Sequence, residues 1–143
     1  MDNPFAGTWT YRSLVNDPDG SKDFNSLEFG EGTLKIEAVS TDTLGGTIGG
    51  GLNGGTWLLN LHGSFGYGSP MQIRFQGKGL VQGEEWIYDY IGWLVPVWPN
   101  SNDTLQRPSI VGSIVRTIPH SSTSKPKTVH PAGVVASWYA VRV

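Results

Sequence analysis

The chain has 143 residues, a formal net charge of −2 and no cysteine. This length fits one domain over residues 1–143, large enough to bury a hydrophobic core. Charged residues make up only 15% of the chain, so the sequence offers no electrostatic basis for binding nucleic acid. The lack of cysteine excludes disulfides, thiolate metal sites and cysteine nucleophiles.

Neither a secretory signal nor a membrane span is predicted. Residues 1–5 lack the basic and apolar regions of a signal peptide. No apolar run approaches the ~20 residues that a membrane-spanning helix needs. We therefore expect a soluble, cytoplasmic protein without a membrane partner.

Alternating apolar and polar residues predict about eight β-strands and little helix. The strands are predicted at Gly7–Leu14, Thr33–Val39, the first part of Leu44–Gly55, Trp57–Phe65, Met71–Leu80, Glu85–Val95, Ser109–Ile118 and Gly133–Val143. Their hairpin-length succession predicts an all-β fold, a single eight-stranded antiparallel up-and-down β-barrel, with a flattened sandwich as the alternative. A barrel of eight strands is either filled by side chains or holds one small ligand.

The stretch Leu44–Gly55 contains seven glycines. It lacks the Lys-Ser/Thr pair of a phosphate-binding loop, and no helical pattern follows it. We therefore predict a thin strand that ends in a hairpin turn at Asn53–Gly54.

The tripeptide Gly7-Thr8-Trp9 on the first strand, followed by meandering strands, resembles the calycin group of β-barrels, which includes lipocalins and avidins. In those families a Gly-x-Trp near the N-terminus plugs or lines one end of the barrel. The later Trp57, Trp86 and Trp138 are similar to the aromatic box of avidins. The Asn and Ser that avidins place just after the tryptophan have no counterpart in Tyr11–Leu14. The resemblance thus implies the barrel and not biotin.

Aromatic residues on the predicted strands suggest a ligand cavity. Such cavities are mostly apolar, and Tyr hydroxyls and Trp N–H groups add the few polar contacts that orient a ligand. The predicted ligand-binding residues are Trp9, Tyr11, Trp57, Phe75, Trp86, Tyr88, Tyr90, Arg116 and Trp138. The connections Pro96–Pro108 and Pro119–Pro131 are predicted as irregular loops that form its mouth. The alternative is that the same aromatic residues fill a closed barrel.

Asp89 and Tyr88 are the catalytic candidates, because both lie in the most aromatic strand. A buried, inward-facing Asp89 would have a raised pKa and act as a general acid or base. Strand alternation places it opposite Tyr88 unless a bulge at Gly92 intervenes. The alternative is an ion pair of Asp89 with Arg74 or Arg116.

No metal or cofactor is predicted. The three histidines (His62, His120 and His130) lack the spacing of a zinc site. Asp17–Glu28 follows the ligand spacing of an EF-hand, but Lys22 replaces the required glycine and no helices flank the segment. We predict an acidic turn there.

Three hypotheses follow for function. The first is a barrel that binds a small apolar or aromatic metabolite. The second is a cofactor-independent enzyme, of the cyclase or isomerase type, in the same cavity. The third is a filled barrel that acts as an oligomerisation module. We also expect a homodimer through the outer face that carries Ile87, Ile91 and Trp93.

Overall fold

The structure is a computed structural model, and it describes residues 3–52, 55–122 and 128–143. Eight antiparallel strands close into one barrel, which confirms the predicted all-β fold. The barrel strands are β1 Gly7–Val15, β2 Glu28–Ala38, β3 Thr43–Leu52, β4 Gly55–Gly66, β5 Gln72–Val81, β6 Glu84–Leu94, β7 Ser109–Arg116 and β10 Val135–Arg142. A short 3-10 helix, Phe24–Leu27, precedes β2.

The barrel is an up-and-down meander. Neighbouring strands follow the order β1-β10-β7-β6-β5-β4-β3-β2, and β1 closes the ring by pairing with both β2 and β10. This closure leaves no exposed sheet edge in the barrel.

A two-stranded ribbon connects β7 to β10. The prediction of an irregular loop at Pro119–Pro131 is therefore wrong. The ribbon consists of β8, His120–Ser121, and β9, Val129–His130. His120 pairs with His130, and Ser121 pairs with Val129. Strands of two residues are too short to produce the alternation that predicts longer ones.

Successive connections of such a barrel lie at opposite ends. The ribbon therefore lies at one end, which we call the ribbon end, together with the β1–β2 and β5–β6 connections. The long loop 95–108 joins β6 to β7 at the other end, where β1 begins, and we call this the N-terminal end. The prediction that both long connections form one mouth is therefore wrong.

The glycine-rich stretch forms β3, as predicted, between β2 and β4. Gly46 has a φ of 122°, and a Cβ there would lie 1.9 Å from the Lys35 carbonyl oxygen. Only glycine fits that combination of conformation and close approach. The hairpin turn predicted at Asn53–Gly54 lies outside the described residues.

The N-terminal end of the barrel is plugged by side chains. Phe5 and Trp9 are fully buried, and Trp9 Nε1 donates to the Phe5 carbonyl oxygen at 2.9 Å. The Phe5 ring stacks on Phe65 at 6.0 Å, and the Arg142 guanidinium lies 4.5 Å from the centre of the Trp9 ring. The eight-stranded antiparallel barrel itself is consistent, at a coarse level, with a calycin-like barrel.

The middle of the barrel is filled by aromatic rings. Phe75 stacks on Tyr90 with ring centres 4.5 Å apart. Trp138 lies over Gly92, where a Cβ would come within 2.7 Å of the indole ring. The indole Nε1 of Trp138 donates to the Ile91 and Ser113 carbonyl oxygens, at 3.2 and 3.0 Å. These contacts fix the ring, so that it closes the interior beneath Tyr90.

Candidate functional site

A cavity of about 550 Å³ occupies the interior at the ribbon end. Six of the nine predicted ligand-binding residues line it: Tyr11, Trp57, Trp86, Tyr88, Tyr90 and Arg116. The other three, Trp9, Phe75 and Trp138, belong to the packed core toward the N-terminal end. The cavity and the filled core, which were alternatives in the sequence, thus occur in different parts of one barrel.

Two tyrosines form the floor of the cavity. The rings of Tyr11 and Tyr90 meet edge to face, 6.3 Å apart. Burial raises the pKa of both phenols, although hydrogen bonds with Ser13 and Tyr90 oppose this rise at Tyr11. Both side chains are therefore neutral at physiological pH, and the floor offers hydroxyl groups without charge.

A polar network lies on the wall above this floor. Arg116 Nε donates to Tyr88 Oη at 3.0 Å, and Tyr88 Oη lies 2.6 Å from His120 Nε2. His120 Nδ1 lies 3.0 Å from the Ser121 carbonyl oxygen. A carbonyl only accepts, so Nδ1 carries the proton of the neutral imidazole and Nε2 accepts the Tyr88 hydroxyl proton. The network therefore runs from Arg116 through Tyr88 to His120.

His120 is held as a neutral ring by its surroundings. Its imidazole stacks on Trp86 with centres 3.9 Å apart and planes 15° apart, and its exposed fraction is 3%. Burial lowers the pKa of His120, and this exceeds the opposing effect of the hydrogen bond with Ser121. The charges of Arg116 and His130 also lower this pKa, whereas the charge of Glu84 raises it. The pKa of Tyr88 is raised by burial, which exceeds the lowering effect of Arg116.

The ribbon is fastened to the barrel at several points. Ser121 N donates to Glu84 Oε1 at 2.8 Å, and Arg116 Nη1 donates to the Pro131 carbonyl oxygen at 3.2 Å. The Arg116 backbone N donates to the Val134 carbonyl oxygen at 3.0 Å. The same arginine therefore supports the cavity wall and the return of the chain into β10.

Sequence reasoning considered His120 only as a metal ligand and missed its contact with Tyr88. The two residues are 32 positions apart, and no local pattern connects them. The sequence signal for this contact was the position of His120, which follows Arg116 by four residues, just beyond the end of a strand.

Asp89 faces the outside of the barrel. The pairing of β6 with β5 and with β7 continues through Gly92 without a bulge, so Asp89 and Tyr88 point to opposite faces. Asp89 Oδ2 accepts a hydrogen bond from Thr117 Oγ1 at 2.6 Å. Among the described residues it forms no ion pair with Arg74 or Arg116. This register shows that the hypothesis of an inward-facing catalytic Asp89 is wrong.

Ile87, Ile91 and Trp93 also lie on the outer face of β6, as the sequence predicts. Ile87 and Ile91 are half-buried, whereas Trp93 is exposed beside its cross-strand partner Val111. Pairing of two copies through this face stays a prediction.

The predicted acidic turn is held by its own side chains. Asp17 Oδ2 accepts from Lys22 Nζ at 2.6 Å, and Asp19 Oδ1 accepts from both N and Oγ of Ser21. Within residues 3–52, 55–122 and 128–143, no three His, Asp or Glu side chains are grouped to hold a metal ion. In the same residues, no helix has the length and apolar character to cross a membrane.

No protein-family model, no curated protein and no solved structure matches this chain. The geometry of the ribbon-end cavity is therefore the basis for the proposed function.

Proposed function

We propose that the protein binds a small apolar or aromatic molecule in the ribbon-end cavity. The observation that carries this proposal is a space of about 550 Å³ with aromatic walls inside a closed barrel. Cavities for small-molecule ligands measure roughly 300–1,000 Å³ and are mostly apolar with a few polar groups. A barrel stabilised by packing alone would gain by filling this space with side chains, because packed side chains make contacts that a cavity lacks.

The walls match a ligand with a flat apolar body. Trp57 and Trp86 expose only 9% and 8% of their surface, and both line the cavity. Aromatic faces bind flat rings by stacking, each pair contributing about 0.5–1.5 kcal/mol beyond the area that it buries. The hydroxyl groups of Tyr11 and Tyr90 would orient the end of the ligand that reaches the floor.

A fluorescence titration tests this function. N-phenyl-1-naphthylamine is apolar, aromatic and much brighter outside water, so its emission reports a dry site. The test variant is Ile114→Trp, because Ile114 lies on the inner face of β7 and lines the cavity. The matched control is Val111→Trp, which adds the same side chain to the outer face of that strand.

We expect the wild type and Val111→Trp to bind the probe with similar affinity, and Ile114→Trp to lose binding by filling the space. We also expect Ile114→Trp to stay folded, because overpacking costs about 1–3 kcal/mol only where no room exists. Equal binding by all three proteins would show that the probe sits on the surface and would refute the proposal.

A second candidate function is a cofactor-independent enzyme of the cyclase or isomerase type. It is favoured by the Tyr88 hydroxyl, which lies between the Arg116 cation and a neutral His120 that can accept a proton. Tyr88 would donate its proton to a developing oxyanion of a bound substrate, and Arg116 would stabilise the phenolate that remains. His120 Nε2 would accept the proton that the substrate loses and then return a proton to Tyr88, so that the substrate and the site both regain their original proton count. Asp89 has no place in this chemistry, because it lies outside the barrel.

Mass spectrometry separates the two functions for any compound that binds. A binder returns the compound unchanged, whereas an enzyme returns an isomer of the same mass with a different fragmentation pattern. The enzyme hypothesis predicts that Tyr88→Phe still binds the compound but converts it at least about 100-fold more slowly. Conversion at the wild-type rate would remove Tyr88 from the mechanism.

A further inference from the structure

We infer that the ligand of the ribbon-end cavity carries a carboxylate and that Arg116 binds it. The ligand class is thus a small apolar acid. This inference rests on the proposed binding function and adds the chemical class of the ligand.

Arg116 is a buried cation without an acidic partner. Its exposed fraction is 8%. Three ion pairs occur in the part of the chain that the structure describes, Arg12–Glu28, Lys22–Asp17 and Lys78–Glu85, and none includes Arg116. Buried charges in proteins are normally paired, because removing a charge from water is costly. An anionic ligand would complete this pair.

The guanidinium also has donors left for a ligand. It carries five N–H groups. Two of its bonds go to neutral acceptors, Nε to Tyr88 Oη and Nη1 to the Pro131 carbonyl oxygen. Nη2 donates to no described residue, and Arg116 lines the cavity. A carboxylate accepts two parallel N–H bonds from such a planar group, which a neutral ligand cannot match in strength.

Aromatic rings hold the guanidinium in place without neutralising it. Arg116 Cζ lies 5.0 Å from the centre of the Phe29 ring and 5.7 Å from that of Tyr88. These contacts and the two hydrogen bonds fix its position before a ligand arrives. A preorganised donor loses little conformational entropy on binding.

Two acids line the cavity at its rim, and a third binds the ribbon. Glu28 and Glu31 are exposed at the rim, where water screens their charge. Glu28 forms an ion pair with Arg12, and a hydrogen bond with Glu31 raises its pKa. Glu84 accepts the Ser121 N–H. Arg116 is therefore the buried charge among the described residues that line the cavity.

The register places this charge beside the apolar part of the cavity. Arg116 is opposite Tyr88, and Ile114 is opposite Tyr90, one inward-facing position closer to the floor. A carboxylate on Arg116 would leave the body of the ligand in contact with Tyr90 and Tyr11 below and Trp86 above. This arrangement predicts one acidic group at the end of a compact apolar body.

The test compares two competitors that share a ring system and differ in one group, which is charged in the first and neutral in the second. 1-Naphthylacetate carries a carboxylate, and 1-naphthaleneacetamide carries the neutral amide on the same ring system. Each is titrated against N-phenyl-1-naphthylamine bound to the wild type, to Arg116→Gln and to Arg74→Gln. Arg74 is the control, because it is an exposed arginine on the outer face of β5 and belongs to none of the ion pairs of the described residues.

In the wild type and in Arg74→Gln, we expect naphthylacetate to displace the probe at least about tenfold more effectively than the amide. In Arg116→Gln we expect this ratio to fall to about one while the neutral probe still binds. Retained binding of that probe shows that the variant is folded. Arg116→Lys keeps the charge without the planar pair of donors, and we expect an intermediate ratio.

Equal displacement by acid and amide in the wild type, or an unchanged ratio in Arg116→Gln, would overturn the carboxylate inference and leave the cavity as a neutral binding site. Failure of the wild type to bind N-phenyl-1-naphthylamine or either competitor would overturn the proposed function itself. The two failures are therefore distinct.

Discussion

Removal of the Tyr88 hydroxyl tests the network that shapes the cavity wall. In Tyr88→Phe, Arg116 Nε loses an acceptor at 3.0 Å and His120 Nε2 loses a donor at 2.6 Å. A hydrogen bond to a charged group contributes about 1.5–3 kcal/mol and a neutral one about 0.5–1.5 kcal/mol. Water that enters the open cavity replaces part of this loss. We therefore expect the free energy of unfolding to fall by about 1–3 kcal/mol.

Thermal unfolding followed by circular dichroism measures this change. For a chain of this length, about 1 kcal/mol corresponds to roughly 3 °C in Tm, so Tm should fall by about 3–9 °C. Tyr139→Phe is the control, because Tyr139 lies on the outer face of β10 with 41% of its surface exposed. It should change the free energy of unfolding by less than about 0.5 kcal/mol. Equal Tm values for the two variants would refute the network.

Three further predictions concern the rest of the barrel. Gly92→Ala should lower the free energy of unfolding by about 1–3 kcal/mol in denaturant unfolding, because its Cβ would meet the Trp138 ring at 2.7 Å. If the variant unfolds at the same denaturant concentration as the wild type, the ring moves freely and the reasoning is wrong. Burial lowers the pKa of His120 in the folded state. The stability that neutral His120 contributes is therefore present above the unfolded pKa of about 6.5 and is lost as the pH falls from there through the folded pKa. A denaturant midpoint of unfolding that does not change between pH 7.5 and 5 would contradict this. Wild-type protein should scatter light as a dimer and Trp93→Ser as a monomer, whereas a monomeric wild type would exclude the proposed face.

The sequence predicted the barrel and much of the cavity wall, because both depend on the period of two in β-strands. Alternation alone places Tyr88 and Tyr90 on one face and Asp89 on the other. The structure shows this same division in the register of β6. The expectation of a catalytic Asp89 required a bulge that the chain does not have.

The depth of the cavity could not be predicted from the sequence. Phe75 shares the inner face with residues that line the cavity, yet it belongs to the filled part because Trp138 and Tyr90 close over it. That boundary depends on the packing of rings from distant strands. Gly92 leaves room for Trp138, whereas from the sequence it was interpreted only as the place for a bulge.

The polar part of the site was missed for a related reason. His120 reaches Tyr88 only because the ribbon folds back beside β6, and strands as short as β8 and β9 produce no periodic signal. The error about the two mouth loops was avoidable, because successive connections of an up-and-down barrel must lie at opposite ends.

The six tryptophans allow a direct test of the cavity as the binding site. Each indole N–H gives one signal in a ¹H–¹⁵N correlation spectrum, and single Trp→Phe variants assign them. On titration with 1-naphthylacetate, we expect the signals of Trp57 and Trp86 to shift, because both line the cavity. The signals of Trp93 and Trp98, which are exposed on the outside, should stay in place. Shifts confined to Trp93 and Trp98 would contradict binding inside the barrel.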